Sequence, residues 1–153
     1  MKVKSKELFL ATVIIGLLFI LFGCCKNSNT TNEQTIESIV NESLEFSLQQ
    51  SLKMAVSLKD KNSLLPKTTD RFGNLETCNS SWWVSGFFPG TLWYLYENSN
   101  SEEVKNWAID YTLRVKDQQF TTDNHDVGFM IFCSFGNAYR LTKDKAYLEV
   151  ILN

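Results

Sequence analysis

Residues 121–129, Thr121-Thr122-Asp123-Asn124-His125-Asp126-Val127-Gly128-Phe129, set two carboxylates and the chain's one histidine directly ahead of an apolar stretch. A carboxylate in that position has two uses. As a helix N-cap it accepts orphan backbone N–H groups, which is worth about 0.5–2 kcal/mol. In a cleft the same group takes part in proton transfer or holds a developing charge. Asp126 follows His125 and stands beside Gly128, which permits close approach, so both uses stay open. The second group is aromatic. Between Trp82 and Tyr147 lie all four Trp, all five Tyr and six Phe. Most such rings fill gaps between packed helices, but rings at helix N-termini can line a pocket and stack on the apolar C–H face of a sugar. Trp82 and Trp83, at the head of another apolar stretch, are the leading candidates for that role.

Helices must position these groups. Ile36, Ile39, Val40, Leu44, Leu48, Leu52 and Ala55 recur at three-and-four spacing, which predicts an amphipathic helix over 32–58 with one buried face. Residues 59–81 are polar, carry Pro66 and Gly73, and show neither a two- nor a 3.6-residue period; they read as a long loop. Residues 86–96 are apolar nearly all round, as in an inner helix starting near Pro89. Ser99-Asn100-Ser101-Glu102 then supplies a capping-box pattern for an outer, one-faced helix through Val104, Trp107, Ala108, Tyr111 and Val115. Residues 127–141 form a second inner helix, and Thr142 reads as the cap of a last segment from Lys143. An inner helix followed by an outer one, twice over, is the repeat of an α/α toroid or helical solenoid, of which only the first few helices are present. Trp83 and Asp126 then open two inner helices on one rim.

Composition excludes several classes. The 153 residues, 44 % hydrophobic and 21 % charged, suit one globular domain and neither a disordered nor a fibrous chain. Seven Gly and two Pro are too few for an all-β protein made of tight turns, so an all-α fold is favoured. A formal net charge of −2, with basic residues grouped only at the extreme N-terminus, excludes a nucleic-acid partner.

Lys2, Lys4 and Lys6 precede an uncharged apolar run over 8–22 that ends in Leu21-Phe22-Gly23-Cys24. That is the layout of a bacterial export signal, and its end resembles a lipobox, in which the cysteine is lipidated and the chain is cut just before it. The expected organisation is a signal peptide over 1–23, lipidation at Cys24, a polar tether over 24–34, and a folded region over 35–153. A bacterial membrane-anchored lipoprotein, periplasmic or in the outer membrane, follows. Cys25, Cys78 and Cys133 are widely spaced with no C-x-x-C, so no metal site is expected, and a Cys78–Cys133 disulfide stays open.

Two strings carry a family resemblance. Trp82 to Glu97, WWVSGFFPGTLWYLYE, and His125 to Thr142, HDVGFMIFCSFGNAYRLT, resemble the signature segments of unsaturated glucuronyl hydrolases, glycoside hydrolase family 88, in the family's order and at a similar separation. Pro66-Lys67-Thr68-Thr69 also resembles a segment upstream of them in Bacteroidetes-type members. The resemblance implies a six-hairpin α/α barrel acting on the 4,5-unsaturated uronic acid that a polysaccharide lyase leaves at the non-reducing end of an oligosaccharide. In that reaction C4 of the enol ether is protonated, water adds at C5, and the hemiketal opens to release the neighbouring sugar. This is hydration, unlike the displacement of ordinary glycosidases, and no cofactor or metal is implied.

Carried over by residue, Asp126 matches one of the family's two essential aspartates, the one close to the sugar near the reaction centre, and His125 precedes it as in the family. Trp83 matches the ring that packs along the unsaturated sugar, and Phe129 would line the pocket behind. The other essential aspartate lies further along the family's chain than Asn153. The resemblance therefore implies an N-terminal fragment, inactive by itself. Two readings from other classes stand beside it: a non-catalytic carbohydrate-binding lipoprotein, and a helical interaction module completed by a partner chain.

Overall fold

The computed structural model describes residues 35–153. The expected signal, the lipidation site at Cys24 and the tether lie outside the described residues. Among those described, no helix is long and apolar enough to cross a membrane.

Helix α1, Ile36–Ser57, packs on the core from Leu44 onward. Ala55 is fully buried and Leu44, Leu48 and Leu52 pack against the same core, whereas Ile36, Ile39, Val40 and Phe46 are exposed. The expected buried face is thus realised only where α1 meets later elements. Its anchor is a hydrogen bond from the Tyr111 hydroxyl to the Ala55 carbonyl, 2.9 Å long and buried.

The expected loop over 59–81 contains an antiparallel hairpin, β1 Leu65–Thr69 and β2 Leu75–Cys78. Pro66 and the absence of alternation hid it. The turn chemistry carries it: Asp70 Oδ1 accepts from the backbone N–H groups of Phe72 and Asn74, each at 2.8 Å, and Gly73 takes φ 83°. The Arg114 guanidinium, buried and paired with Asp110 at 2.7 Å, donates to the carbonyls of Leu58, Lys61 and Leu64 and pins the segment leading into β1.

Helix α2, Phe87–Ser99, buries Phe88, Pro89, Gly90, Leu92, Trp93 and Leu95, as an inner helix should. It ends where Asn100 turns left-handed at φ 53°. That turn moves the next helix start from Ser99 to Ser101, whose side chain accepts from the Val104 N–H, so α3 spans Glu102–Leu113 with Glu102 and Glu103 in its first turn. Trp93 joins the two helices: its indole N–H donates to Thr112 Oγ1 at 2.9 Å in the core.

After a short 3₁₀ turn, Lys116–Phe120, the second inner helix is not continuous. It runs as α4 Val127–Ile131, a π-helical turn Phe132–Gly136, and α5 Asn137–Thr142. The Ser134 hydroxyl donates within this irregular stretch to the Met130 and Ile131 carbonyls. Lys143 is left-handed, and Asp144, not Thr142, caps α6 Lys145–Leu152 by accepting from the Ala146 N–H at 2.9 Å. Cys78 and Cys133 are free thiols, and burial pushes both up in pKa.

Arg140 on α5 donates two parallel bonds of 2.7 Å to Glu97 on α2. These bonds hold the Glu97 carboxyl below its ordinary value of 4.5. A depressed folded pKa adds stability that is present above the unfolded value and lost as pH falls through the folded one. Both side chains are well exposed, so the contribution is small. The melting-temperature gap between the wild type and Glu97→Gln is expected to be largest near neutral pH and to close as pH falls below 4.5.

Candidate active site

Two helix starts build the site. The chain enters α2 through a tight turn in which the Ser85 N–H donates to the Trp82 carbonyl at 2.8 Å and the Phe87 N–H to that of Val84 at 3.0 Å. Asn79 supports the turn from upstream, its Oδ1 accepting from the Ser81 N–H. At α4, Asn124 plays the corresponding part: its Oδ1 accepts from the Asp126 N–H at 2.9 Å, and the Asp126 carbonyl accepts from Phe129 at 2.8 Å. Both starts therefore rest on an Asn side chain that folds the preceding loop onto the backbone two residues on.

The structure brings Trp83 and Phe129 together, and with them Phe87. The ring centroids lie 5.6 Å apart for Trp83–Phe87, 5.9 Å for Phe87–Phe129 and 6.5 Å for Trp83–Phe129, all edge to face. All three rings remain partly open to solvent. Trp82 points elsewhere, with the Lys67 ammonium 5.4 Å above its ring. Phe87 had no separate signal in the sequence, because an inner helix that is apolar all round does not show which ring faces outward. Its spacing from Trp83, four residues on, is the pattern that identifies it in retrospect.

Asp126 occupies the N-cap position of α4 but its side chain makes no capping hydrogen bond. The capping use is therefore set aside, and the carboxylate is 25 % exposed. His125 Nε2 lies 3.5 Å from Asp126 Oδ1 while its side chain is 94 % exposed, so the two form an ion pair only when the imidazole is protonated. Phe129 stands three residues after Asp126, one turn along the same short helix.

A groove of about 400 Å³ runs from Phe87, Val84 and Thr91 to Lys67, Thr68 and Thr69 of the hairpin. It is large enough for one sugar ring and shares Phe87 with the aromatic cluster. A larger cavity of about 520 Å³, lined by Arg114, Lys116 and Asp117 among others, contains none of the expected site residues. Among the described residues no three His, Cys, Asp or Glu side chains converge to hold a metal ion.

No family model matches the chain. Over 152 residues, 96 % of the chain, it is 27 % identical to an unsaturated glucuronyl hydrolase of Formosa agariphila and spans 36 % of that relative. The crystal structure of an unsaturated glucuronyl hydrolase specific for heparin aligns with a TM-score of 0.61 and 35 % identity, over 72 % of this chain and 30 % of that one. A mutant unsaturated glucuronyl hydrolase from Streptococcus agalactiae, complexed with dGlcA-GalNAc6S, aligns with a TM-score of 0.57 at 24 % identity, over 71 % of this chain and 30 % of that one. The chain thus resembles unsaturated glucuronyl hydrolases and spans about a third of their length. Its fold is part of an α/α barrel, as the alternation of inner and outer helices predicts.

Proposed function

We propose that residues 35–153 supply the N-terminal share of a site that hydrates the 4,5-unsaturated uronic acid at the non-reducing end of lyase-generated, glycosaminoglycan-type oligosaccharides. The observation that carries this is the solvent-open cluster of Trp83, Phe87 and Phe129 at the helix turn that Asp126 begins. In this reading the rings pack along the flat, unsaturated sugar. Protonation of C4 leaves positive charge shared between C5 and the ring oxygen. The Asp126 carboxylate, fixed at the head of α4, stabilises that charge and accepts from the sugar's hydroxyls. Water then bonds to C5 and gives up a proton; the hemiketal so formed opens by breaking the bond from C5 to the ring oxygen, and the hemiacetal this leaves at C1 collapses to an aldehyde, releasing the neighbouring sugar with the proton on its oxygen. A second acidic group must give and take the protons, and the family resemblance implies one further along the chain than Asn153. Residues 35–153 are accordingly expected to bind the disaccharide, with proton transfer falling to that second group.

Titrating the chain with an unsaturated disaccharide, while following tryptophan emission, tests this. A saturable change is expected, and a chain that is helical by circular dichroism yet gives no response contradicts the reading.

The same proposal places residues 1–23 as an export signal and Cys24 as a lipidated first residue of the mature chain. The support is the order of lysines, apolar run and Gly23-Cys24. Incorporation of labelled fatty acid in a bacterial host is expected for the wild type and lost in Cys24→Ala; equal labelling of the two would contradict it.

A further inference from the structure

Gly86 and Gly90 stand one turn apart at the head of α2, and neither has room for a methyl group. An ideal Cβ on Gly86 would press into the carbonyl oxygens of Phe129 and Met130 and lie 2.8 Å from the Met130 carbonyl carbon. On Gly90 it would lie 2.7 Å from the Cys133 carbonyl oxygen. These are backbone atoms, so no change of rotamer relieves the clash. The other inner-helix glycines differ: a Cβ on Gly128 meets nothing within 4 Å, and one on Gly136 meets only the Phe132 side chain, from 3.5 Å.

The head of α2 therefore lies backbone against backbone on α4 and the π-helical turn, touching 129–130 and then 133, the same four-residue step on both sides. Trp83 and Phe87 flank Gly86 on one side of this crossing. Phe129, whose carbonyl Gly86 meets, and Asp126, whose carbonyl accepts from the Phe129 N–H, are on the other. The crossing is the joint between the two halves of the site.

We infer that Gly86, seconded by Gly90, is a positioning residue that sets the separation of Trp83 and Phe87 from Phe129 and Asp126. A side chain at 86 must move to the 3.4 Å or more of ordinary contact, which drives the two helix starts apart. Sites of this kind tolerate displacements of only about 0.5 Å. What the resulting slot takes rests on the sugar-binding reading; the joint itself does not.

The test uses the full chain carrying Gly86→Ala, Gly90→Ala or, as the same chemical change where there is room, Gly136→Ala. Far-ultraviolet circular dichroism follows the helices, near-ultraviolet circular dichroism the ring cluster, and titration with a 4,5-unsaturated disaccharide the affinity. All three variants are expected to stay helical. Gly86→Ala is expected to lose near-ultraviolet signal and about tenfold in affinity, Gly90→Ala less of each, and Gly136→Ala neither. A helical Gly86→Ala with the wild-type near-ultraviolet spectrum and affinity overturns the inference. So does unfolding of both the Gly86 and Gly90 variants, or unfolding of Gly86→Ala while a helical Gly90→Ala keeps the wild-type spectrum, because the crossing would then hold the fold and not the site. A wild type that binds no disaccharide removes the sugar reading alone, and the near-ultraviolet comparison still decides the joint.

Discussion

Asp126→Asn is expected to lower turnover of an unsaturated disaccharide by about 10²- to 10⁴-fold in a protein that carries these residues within a complete α/α barrel. The replacement keeps the shape of the side chain and removes its charge. Since the Asp126 side chain makes no capping bond, the start of α4 loses nothing by the exchange. The loop still closes through the Asn124 side chain and the Asp126 backbone N–H. Stability is therefore expected to hold while the stabilisation of charge at C5 is lost. The falling ultraviolet absorbance of the C4–C5 double bond reports the rate, and circular dichroism reports the fold. Unchanged turnover in Asp126→Asn would remove this residue from the reaction. A large loss of helix would return it to the capping role that the sequence left open.

The second large effect concerns the frame that carries the site. Trp93→Ala is expected to destabilise residues 35–153 by about 3–5 kcal/mol, the range for removing a large buried aromatic side chain. Trp93 is fully buried, its ring meets Tyr96 and Tyr147 edge to face, and its N–H donates to Thr112. The substitution opens a cavity between α2, α3 and α6 and leaves the buried Thr112 hydroxyl without its donor. For a domain whose whole stability is about 5–15 kcal/mol, that loss removes much or all of the folded population. Trp93→Phe separates the two contributions, because it keeps most of the volume and loses the hydrogen bond. Urea unfolding followed by circular dichroism measures both variants. A Trp93→Ala midpoint equal to that of the wild type would mean that α2 does not pack on α3 through this residue.

The helices were legible because their apolar residues repeat at helical spacing, and the distinction between α2 and α3 followed from how much of each surface is apolar. Spacing says less about where elements stop. Ser99 satisfies a capping box on paper, yet Asn100 takes the left-handed turn that ends α2, and the cap moves to Ser101. The β1–β2 hairpin was hidden because Pro66 interrupts its first strand and its pairing depends on the Asp70–Asn74 turn rather than on alternation. The π-helical turn in 132–136 had no signal, since an apolar run gives no clue to its own winding.

At the site, Trp83 and Asp126 stand out in the sequence through their place at inner-helix starts, and Phe129 only through the family-like string that carries it; the structure adds that the Trp83 and Phe129 rings lie 6.5 Å apart. Phe87 does not stand out, because its exposure depends on what α2 packs against. The bare contact at Gly86 was equally hidden, since only the approach of Phe129 and Met130 forbids a side chain there.

Calorimetric titration of the chain with an unsaturated disaccharide, comparing wild type, Trp83→Ala and Trp82→Ala, decides whether the Trp83, Phe87 and Phe129 rings hold the unsaturated sugar. Saturable binding by the wild type is expected, with about tenfold weaker binding by Trp83→Ala, equivalent to roughly 1.4 kcal/mol, and unchanged binding by Trp82→Ala, whose ring serves Lys67 instead. Equal affinity in Trp83→Ala and the wild type, or no binding by a folded wild-type chain, would contradict that role for the rings.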